Sequence, residues 1–327
     1  MEFNKIIKIR FISIYKILVY ISKLRIFIIA QKRTVWFLAK RNMDNNSFLK
    51  YFFIFLFIIH TFFRYYLIKT SNDVIYAAFE FVVTEKCNLN CERCSNLMDL
   101  YNDPQHYDIN KITEDLFNFL DLVYHVVELR IIGGEPFLNR NLSFLIESLF
   151  SNKDALNKIE YISFITNGTV IPDKKTISLL KKYKNKIMVA VTNYGEISEK
   201  IIKKLEDNNI TYTFSSSDDE WLDIGDLKKR NRDTDELKKL FDDCGGREGC
   251  NTLLNGKFYV CPLEAHGINI SIIPKNLMFL DLRSNESREF KINKLKKLRS
   301  LDYIDACDYC DLPLAKVLKT KSELFDA

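Results

Sequence analysis

The chain has 327 residues, 47% of them hydrophobic, enough to bury a substantial core and too many for a chain disordered throughout. Its net charge of +5 is unevenly spread: residues 1–45 hold ten Lys and Arg against Glu2 and Asp44, whereas the other 282 residues hold 38 basic and 41 acidic groups. The larger part therefore has a slight acidic excess, which excludes the broad basic field that nucleic-acid binding requires.

Neither Gly nor Pro occurs before Pro104, so residues 1–75 read as an uninterrupted basic, apolar helical extension. Lys5, Lys8, Lys16 and Lys23 share one side of a helical wheel. The apolar run from Tyr51 to Phe63 is 13 residues long, short of the ~18 that a bilayer-spanning helix needs. It fits an interfacial helix or a helical cap on the rest of the chain. Lys and Arg interrupt the apolar residues of the head, and no small-residue cleavage site follows, which argues against a signal peptide. The expected location is the cytoplasm, with peripheral contact at the inner face of the membrane through the basic segment.

From residue 76 short apolar runs alternate with amphipathic helices. Strands are expected at 79–84, 126–132, 159–165, 187–191 and 210–214. Ile112, Leu116, Phe119, Leu120 and Val123 mark the first helical face, and Leu142, Leu145, Ile146 and Leu149 the second. Ile177, Leu180 and Tyr183 mark a third, and Ile197, Ile201 and Leu205 a fourth. Such alternation predicts an α/β fold with a parallel sheet and right-handed crossovers, here a partial (β/α)6 barrel over residues 76–235. A small cysteine-rich module is expected over 236–327.

Polar motifs follow the expected strands in turn: Cys87, Gly133–Pro136, Thr166–Gly168 and Thr192–Gly195. In parallel α/β architectures the loops after the strands' carboxyl ends form the active face. The eight cysteines fall in close-set groups, which read as metal ligands in a reducing compartment rather than as four disulfides. Cys87, Cys91 and Cys94 have the spacing C-x3-C-x2-C. A structural zinc site needs four ligands, so three thiolates on one loop leave a metal position open. A Cys3His zinc site using His106 is the competing reading, and it leaves the neighbouring motifs unexplained.

This loop resembles the defining motif of the radical S-adenosylmethionine (SAM) superfamily. The resemblance implies a [4Fe-4S] cluster on Cys87, Cys91 and Cys94 whose open iron chelates the amino and carboxylate groups of SAM. It also implies reductive cleavage of SAM to methionine and a 5′-deoxyadenosyl radical. Relatives carry an aromatic or similar planar side chain before the third cysteine; this chain has Arg93, whose planar guanidinium can stack on adenine. Gly133-Gly134-Glu135-Pro136 resembles the family's GGEP motif, with glycines that let backbone approach a ligand and Glu135 binding the SAM amino group. Thr166-Asn167-Gly168 resembles the family's TNG, and Thr192-Asn193-Tyr194 stands where relatives carry a polar pair. Thr166, Asn167 and Asn193 are thereby candidates for the SAM carboxylate and ribose, or simply turn residues.

Five further cysteines lie in the last third. Cys244 is followed by eleven residues, Gly256, four residues and Cys261; Cys307 and Cys310 come later. The pattern resembles a SPASM domain in its shortened, twitch form, which implies an auxiliary [4Fe-4S] cluster on Cys244, Cys261, Cys307 and Cys310. Cys250 is an alternative ligand or a nearby free thiol, and a four-cysteine zinc ribbon is the competing reading. Trp221 and Asp223 line a substrate pocket or belong to the core.

The reading that follows is a radical SAM enzyme that abstracts a hydrogen atom from a peptide or sugar-like substrate, giving modification, dehydrogenation or epimerisation. A flavodoxin- or ferredoxin-type electron donor is expected as partner, and no nucleic acid. The alternative is a catalytically inactive, zinc-stapled binding or scaffold protein on the same fold.

Overall fold

In the computed structural model the described residues are 73–320, apart from 193, 215–219, 245–248, 277 and 313–316. The expected basic extension, with its membrane contact, falls on residues 1–72 and lies outside them. β1 (Ile75–Val82) buries Phe79 and Phe81 against α1 (Ile109–Leu122), whose Ile112, Leu116, Phe119 and Leu120 recur at helical spacing and are at most 1% exposed. Asp108 starts the helix by accepting the N–H bonds of Asn110 and Lys111. β2 (His125–Ile132) then returns parallel to β1, with Ile75 opposite His125 and Val82 opposite Ile132.

The unit repeats along the chain. α2 (Leu142–Ser151) and α3 (Lys153–Lys158) lead to β3 (Ile159–Thr166), α4 (Lys174–Lys182) to β4 (Ile187–Val191), and α5 (Glu196–Asp207) to β5 (Tyr212–Phe214). Each strand pairs parallel with the one before it. β6 (Glu220–Leu222) leaves this sheet, and α6 (Thr234–Asp243) follows with a capping box between Asp233 and Glu236.

β7 (Asn251–Leu254) and β8 (Lys257–Tyr259) form a two-residue hairpin at Asn255-Gly256, where both residues have positive φ, 45° and 81°. That is the geometry Asn-Gly favours in a tight hairpin. β7 pairs parallel with β1, Phe79 opposite Asn251 and Phe81 opposite Leu253. After α7 (Pro262–Asn269), β9 (Phe279–Asp281) adds antiparallel to β8, and α8 (Arg288–Arg299) packs nearby. β10 (Val317–Thr320) pairs with β6 as a separate ribbon.

The result is a mixed α/β fold on an eight-stranded sheet in the order β5-β4-β3-β2-β1-β7-β8-β9. The sixth parallel strand is thus β7, joined to the far side of β1, and β8 and β9 extend the same sheet. Phe119 lies 4.7 Å from Phe79 and 4.5 Å from Phe258, ring centre to ring centre, so the hairpin and the first crossover share one aromatic core. Burying each such ring stabilises the fold by about 1.5–3 kcal/mol. Among the described residues no helix is long and apolar enough to cross a membrane.

Candidate functional site

Cys87, Cys91 and Cys94 lie on the loop that leaves the carboxyl end of β1, all three partly exposed. The loop is clamped from below by the two glycines after β2. Gly134 donates its N–H to Thr84 at 3.0 Å, and Glu135 donates to the Lys86 carbonyl at 2.8 Å. A Cβ on Gly133 would meet the Thr84 carbonyl at 2.4 Å, and one on Gly134 the Lys86 carbonyl at 2.5 Å. The close approach that these glycines permit is therefore to the chain's own cysteine loop.

Glu135 is fully buried. Its carboxylate accepts bonds from the Phe137 N–H at 3.0 Å, the Asn167 N–H at 2.8 Å and the Thr166 hydroxyl at 2.9 Å. Burial pushes its pKa up to about 7 against the lowering by these donors. Through these bonds the carboxylate fastens the loop after β2 to the turn after β3. Pro136 is buried at the start of the short 3-10 turn that follows, where a missing N–H costs nothing. Thr166 is buried as well. Asn167 faces the cysteine loop, with its side-chain amide 3.7 Å from Cys87 Sγ and 3.1 Å from Asn88 Oδ1. Gly168 has φ of 76° and is packed where a Cβ would strike Ser198 and Val191 at 2.8 Å.

Arg93, just before Cys94 on the loop, has a positive φ of 56°. Its guanidinium donates to the Gly225 carbonyl at 2.7 Å and pairs with Asp223 at 3.5 Å. Asn193 lies outside the described residues. The next residue, Tyr194, is buried with its hydroxyl 4.0 Å from Cys91 Sγ. Tyr194 was legible only as part of the Thr192–Tyr194 run; an aromatic hydroxyl three residues beyond a strand end was the available signal. His106, the fourth ligand of the Cys3His zinc reading, has its Nδ1 2.8 Å from the Thr84 hydroxyl.

The five remaining cysteines, Cys244, Cys250, Cys261, Cys307 and Cys310, line one cavity of about 360 Å³, together with Arg93 and Glu80. Its other walls are mostly apolar, Ile224, Leu240, Phe241 and Ile304 among them. Cys244, Cys307 and Cys310 face one another, and Cys261 faces Cys307 and Cys310. Cys250 has Glu80 and Arg130 as its nearest charges, with Cys244 beyond them.

Burial raises the pKa of six thiols: Cys94 to about 11, Cys250 and Cys307 to about 12, with Cys87, Cys261 and Cys310 also raised. Metal-free, these thiols stay protonated at neutral pH, so binding a metal releases protons. Three thiols on the first loop suit an iron–sulfur cluster with an open iron, and fall one short of a closed zinc site. Cys244, Cys261, Cys307 and Cys310, which line the one cavity, have the donor set of a second cluster. Among the described residues no group of three or more His, Cys, Asp or Glu is arranged to hold a single metal ion.

Residues 81–214 match the family model of the Radical SAM superfamily. The radical SAM cyclopropyl synthase TigE of Paramaledivibacter caminithermalis is 31% identical over 179 residues, 46% of this chain and 36% of that protein. The antilisterial bacteriocin subtilosin biosynthesis protein AlbA of Bacillus subtilis is 29% identical over 120 residues, 36% of this chain and 24% of that protein. The chain thus matches about a quarter to a third of the length of these two relatives. The crystal structure of BtrN in complex with AdoMet and 2-DOIA aligns over 78% of this chain and 99% of that one, with 16% identity and a TM-score of 0.48.

Proposed function

We propose that the protein is a radical SAM enzyme. The observation that carries the reading is the meeting of Cys87, Cys91 and Cys94 with the loops after β2 and β3 at the carboxyl ends of parallel strands. Those three thiolates would hold a [4Fe-4S] cluster, which when reduced and bound to SAM supplies the electron that releases a 5′-deoxyadenosyl radical able to abstract a hydrogen atom. The chain's own groups do the positioning. Gly133 and Gly134 seat the cysteine loop, and Glu135 fixes the Thr166–Gly168 turn. Asn88 and Asn167, whose polar ends reach the mouth, are the residues proposed to meet the carboxylate and ribose of SAM. Cys244, Cys261, Cys307 and Cys310 are the proposed ligands of a second cluster in a SPASM/twitch-like module, with Cys250 outside the set because Glu80 and Arg130 flank it.

The proposed substrate is a peptide or sugar-like molecule, and the bacteriocin-biosynthesis relative supports the peptide side. A flavodoxin or ferredoxin is the proposed electron donor. Protein reconstituted with iron and sulfide under anaerobic conditions, reduced with dithionite and given SAM, is expected to form 5′-deoxyadenosine. Deuterium carried from a labelled peptide or a labelled sugar into that product identifies the substrate class. Iron-loaded, reduced protein that forms no 5′-deoxyadenosine contradicts the proposal.

A further inference from the structure

We infer that Tyr194 and Asn167 are positioning residues that set the reduction potential of the cluster on Cys87, Cys91 and Cys94, by donating hydrogen bonds to two of its three thiolates. The inference rests on the reading of that loop as a cluster site. Tyr194 Oη stands 4.0 Å from Cys91 Sγ, the outer limit of a hydrogen bond to sulfur. A phenol carries its proton at neutral pH and a cluster-bound thiolate has none, so the hydroxyl is the donor of the pair. Its backbone is fixed from behind: the Tyr194 N–H donates to Ser198 Oγ at 3.0 Å, and Ser198 donates in turn to the Thr192 carbonyl at 3.3 Å.

Asn167 approaches from the neighbouring loop, and its amide orientation is decided by its other partners. Oδ1 accepts from the Thr169 N–H at 3.0 Å and the Thr169 hydroxyl at 2.7 Å. That turns the oxygen away from the cysteine loop and leaves Nδ2, 3.7 Å from Cys87 Sγ, as the atom facing the sulfur. Asn88 closes the circuit by donating to Thr169 Oγ1 at 2.7 Å. Cys94 meets backbone N–H groups instead, those of Asn96 and Met98. The loops after β3 and β4 thus each bring one side-chain donor to a different thiolate.

Reduction adds negative charge to a cluster, and a donor aimed at a ligand sulfur stabilises the more negative state. Hydrogen bonds to the sulfurs are one of the terms that set such potentials. Removing a donor therefore moves the midpoint potential to a more negative value while the three ligands stay in place.

The test is a potentiometric titration of the reconstituted full chain followed by electron paramagnetic resonance. The signal of this cluster is recognised by its change on adding SAM, because its open iron is the one that SAM reaches. Tyr194→Phe and Asn167→Ala are each expected to retain iron and to shift this cluster's midpoint potential negatively, with a larger shift in the double variant. A ring-fluorinated tyrosine at position 194, a stronger donor of the same shape, is expected to shift it positively and guards against a folding defect in the Phe variant. Unchanged potentials in iron-loaded Tyr194→Phe and in the fluorinated protein would overturn the inference and leave the cluster assignment standing. A wild-type protein with no SAM-responsive cluster would overturn the assignment itself, and the inference with it.

Discussion

In the Cys87–Cys94 loop three thiols come from eight consecutive residues, and backbone contacts to Gly133 and Gly134 hold the loop in place. In the C-terminal cavity the thiols come from the end of α6, the approaches to β7 and α7, and the turn after α8. The first arrangement is written in local spacing, whereas the second exists only because tertiary packing brings distant segments to one space. Arg93 belongs to both, sitting between two loop cysteines while lining the cavity of the others. A local site survives changes elsewhere that leave its loop intact; a site assembled from afar depends on every segment that supplies it.

The largest effect expected from this contrast follows removal of Cys261, Cys307 and Cys310 together by substitution with Ser. Iron should fall from about eight to about four per chain, since each cubane holds four. SAM should still perturb the remaining cluster, because the first loop takes no ligand from residues 244–310. Iron and zinc analysis checks this: a wild-type chain with about four irons and one zinc, the zinc lost in the variant, would make the cavity a structural zinc site.

A smaller effect separates a clamped glycine from a loose one. Gly134→Ala drives a Cβ to 2.5 Å from the Lys86 carbonyl and 2.7 Å from Cys87 Cβ. It should cost about 1–3 kcal/mol and loosen iron at the first loop. Gly249→Ala meets no atom of the described residues nearer than 3.7 Å and should be close to neutral. Urea denaturation midpoints of the two variants make the comparison, and equal midpoints would count against a rigidly seated loop.

The seam between the regions gives a third handle. His266 on α7 is fully buried, its Nδ1 is 2.7 Å from Tyr101 Oη, and Asn269 on the same helix donates to Glu85 at 2.7 Å. Burial lowers the His266 pKa from 6.5 to about 3. The folded chain therefore stays neutral at this site while the unfolded chain takes up a proton below pH 6.5. Stability from this group is complete above pH 6.5 and is lost as pH falls, by about 1.4 kcal/mol for the first unit. Glu80, Glu135 and Glu264, each raised to about 7 by burial, act in the opposite sense in wild type and variant alike. His266→Gln should remove the acid-side loss, so that its urea midpoint rises more, from pH 7.5 to pH 5.5, than that of wild type.

Much of the sheet was legible because its strands are apolar runs bounded by turn residues. The expected runs at 126–132, 159–165 and 187–191 match β2, β3 and β4 to within a residue at each end. β1 begins four residues earlier than expected, at Ile75, because Tyr-Ala-Ala carries little strand pattern and gains its order from pairing with β2. β7 gave no sign of its place: three residues pair with β1 across some 170 positions, and no local pattern records such a register. At the site, the cysteine spacing marked the loop directly. The protein partners of Glu135 and Arg93 were not legible, because other loops supply them, Thr166 and Asn167 for the carboxylate and Gly225 for the guanidinium.

The central claim is that the first loop makes this chain a radical SAM enzyme, and reductive SAM cleavage tests it most directly. Wild type and the Cys87→Ala, Cys91→Ala, Cys94→Ala triple variant are reconstituted side by side, reduced with dithionite and given SAM, and 5′-deoxyadenosine is quantified. The account predicts steady formation by wild type and none above background by the variant, which keeps the cavity's iron. Undiminished 5′-deoxyadenosine from the triple variant would contradict it.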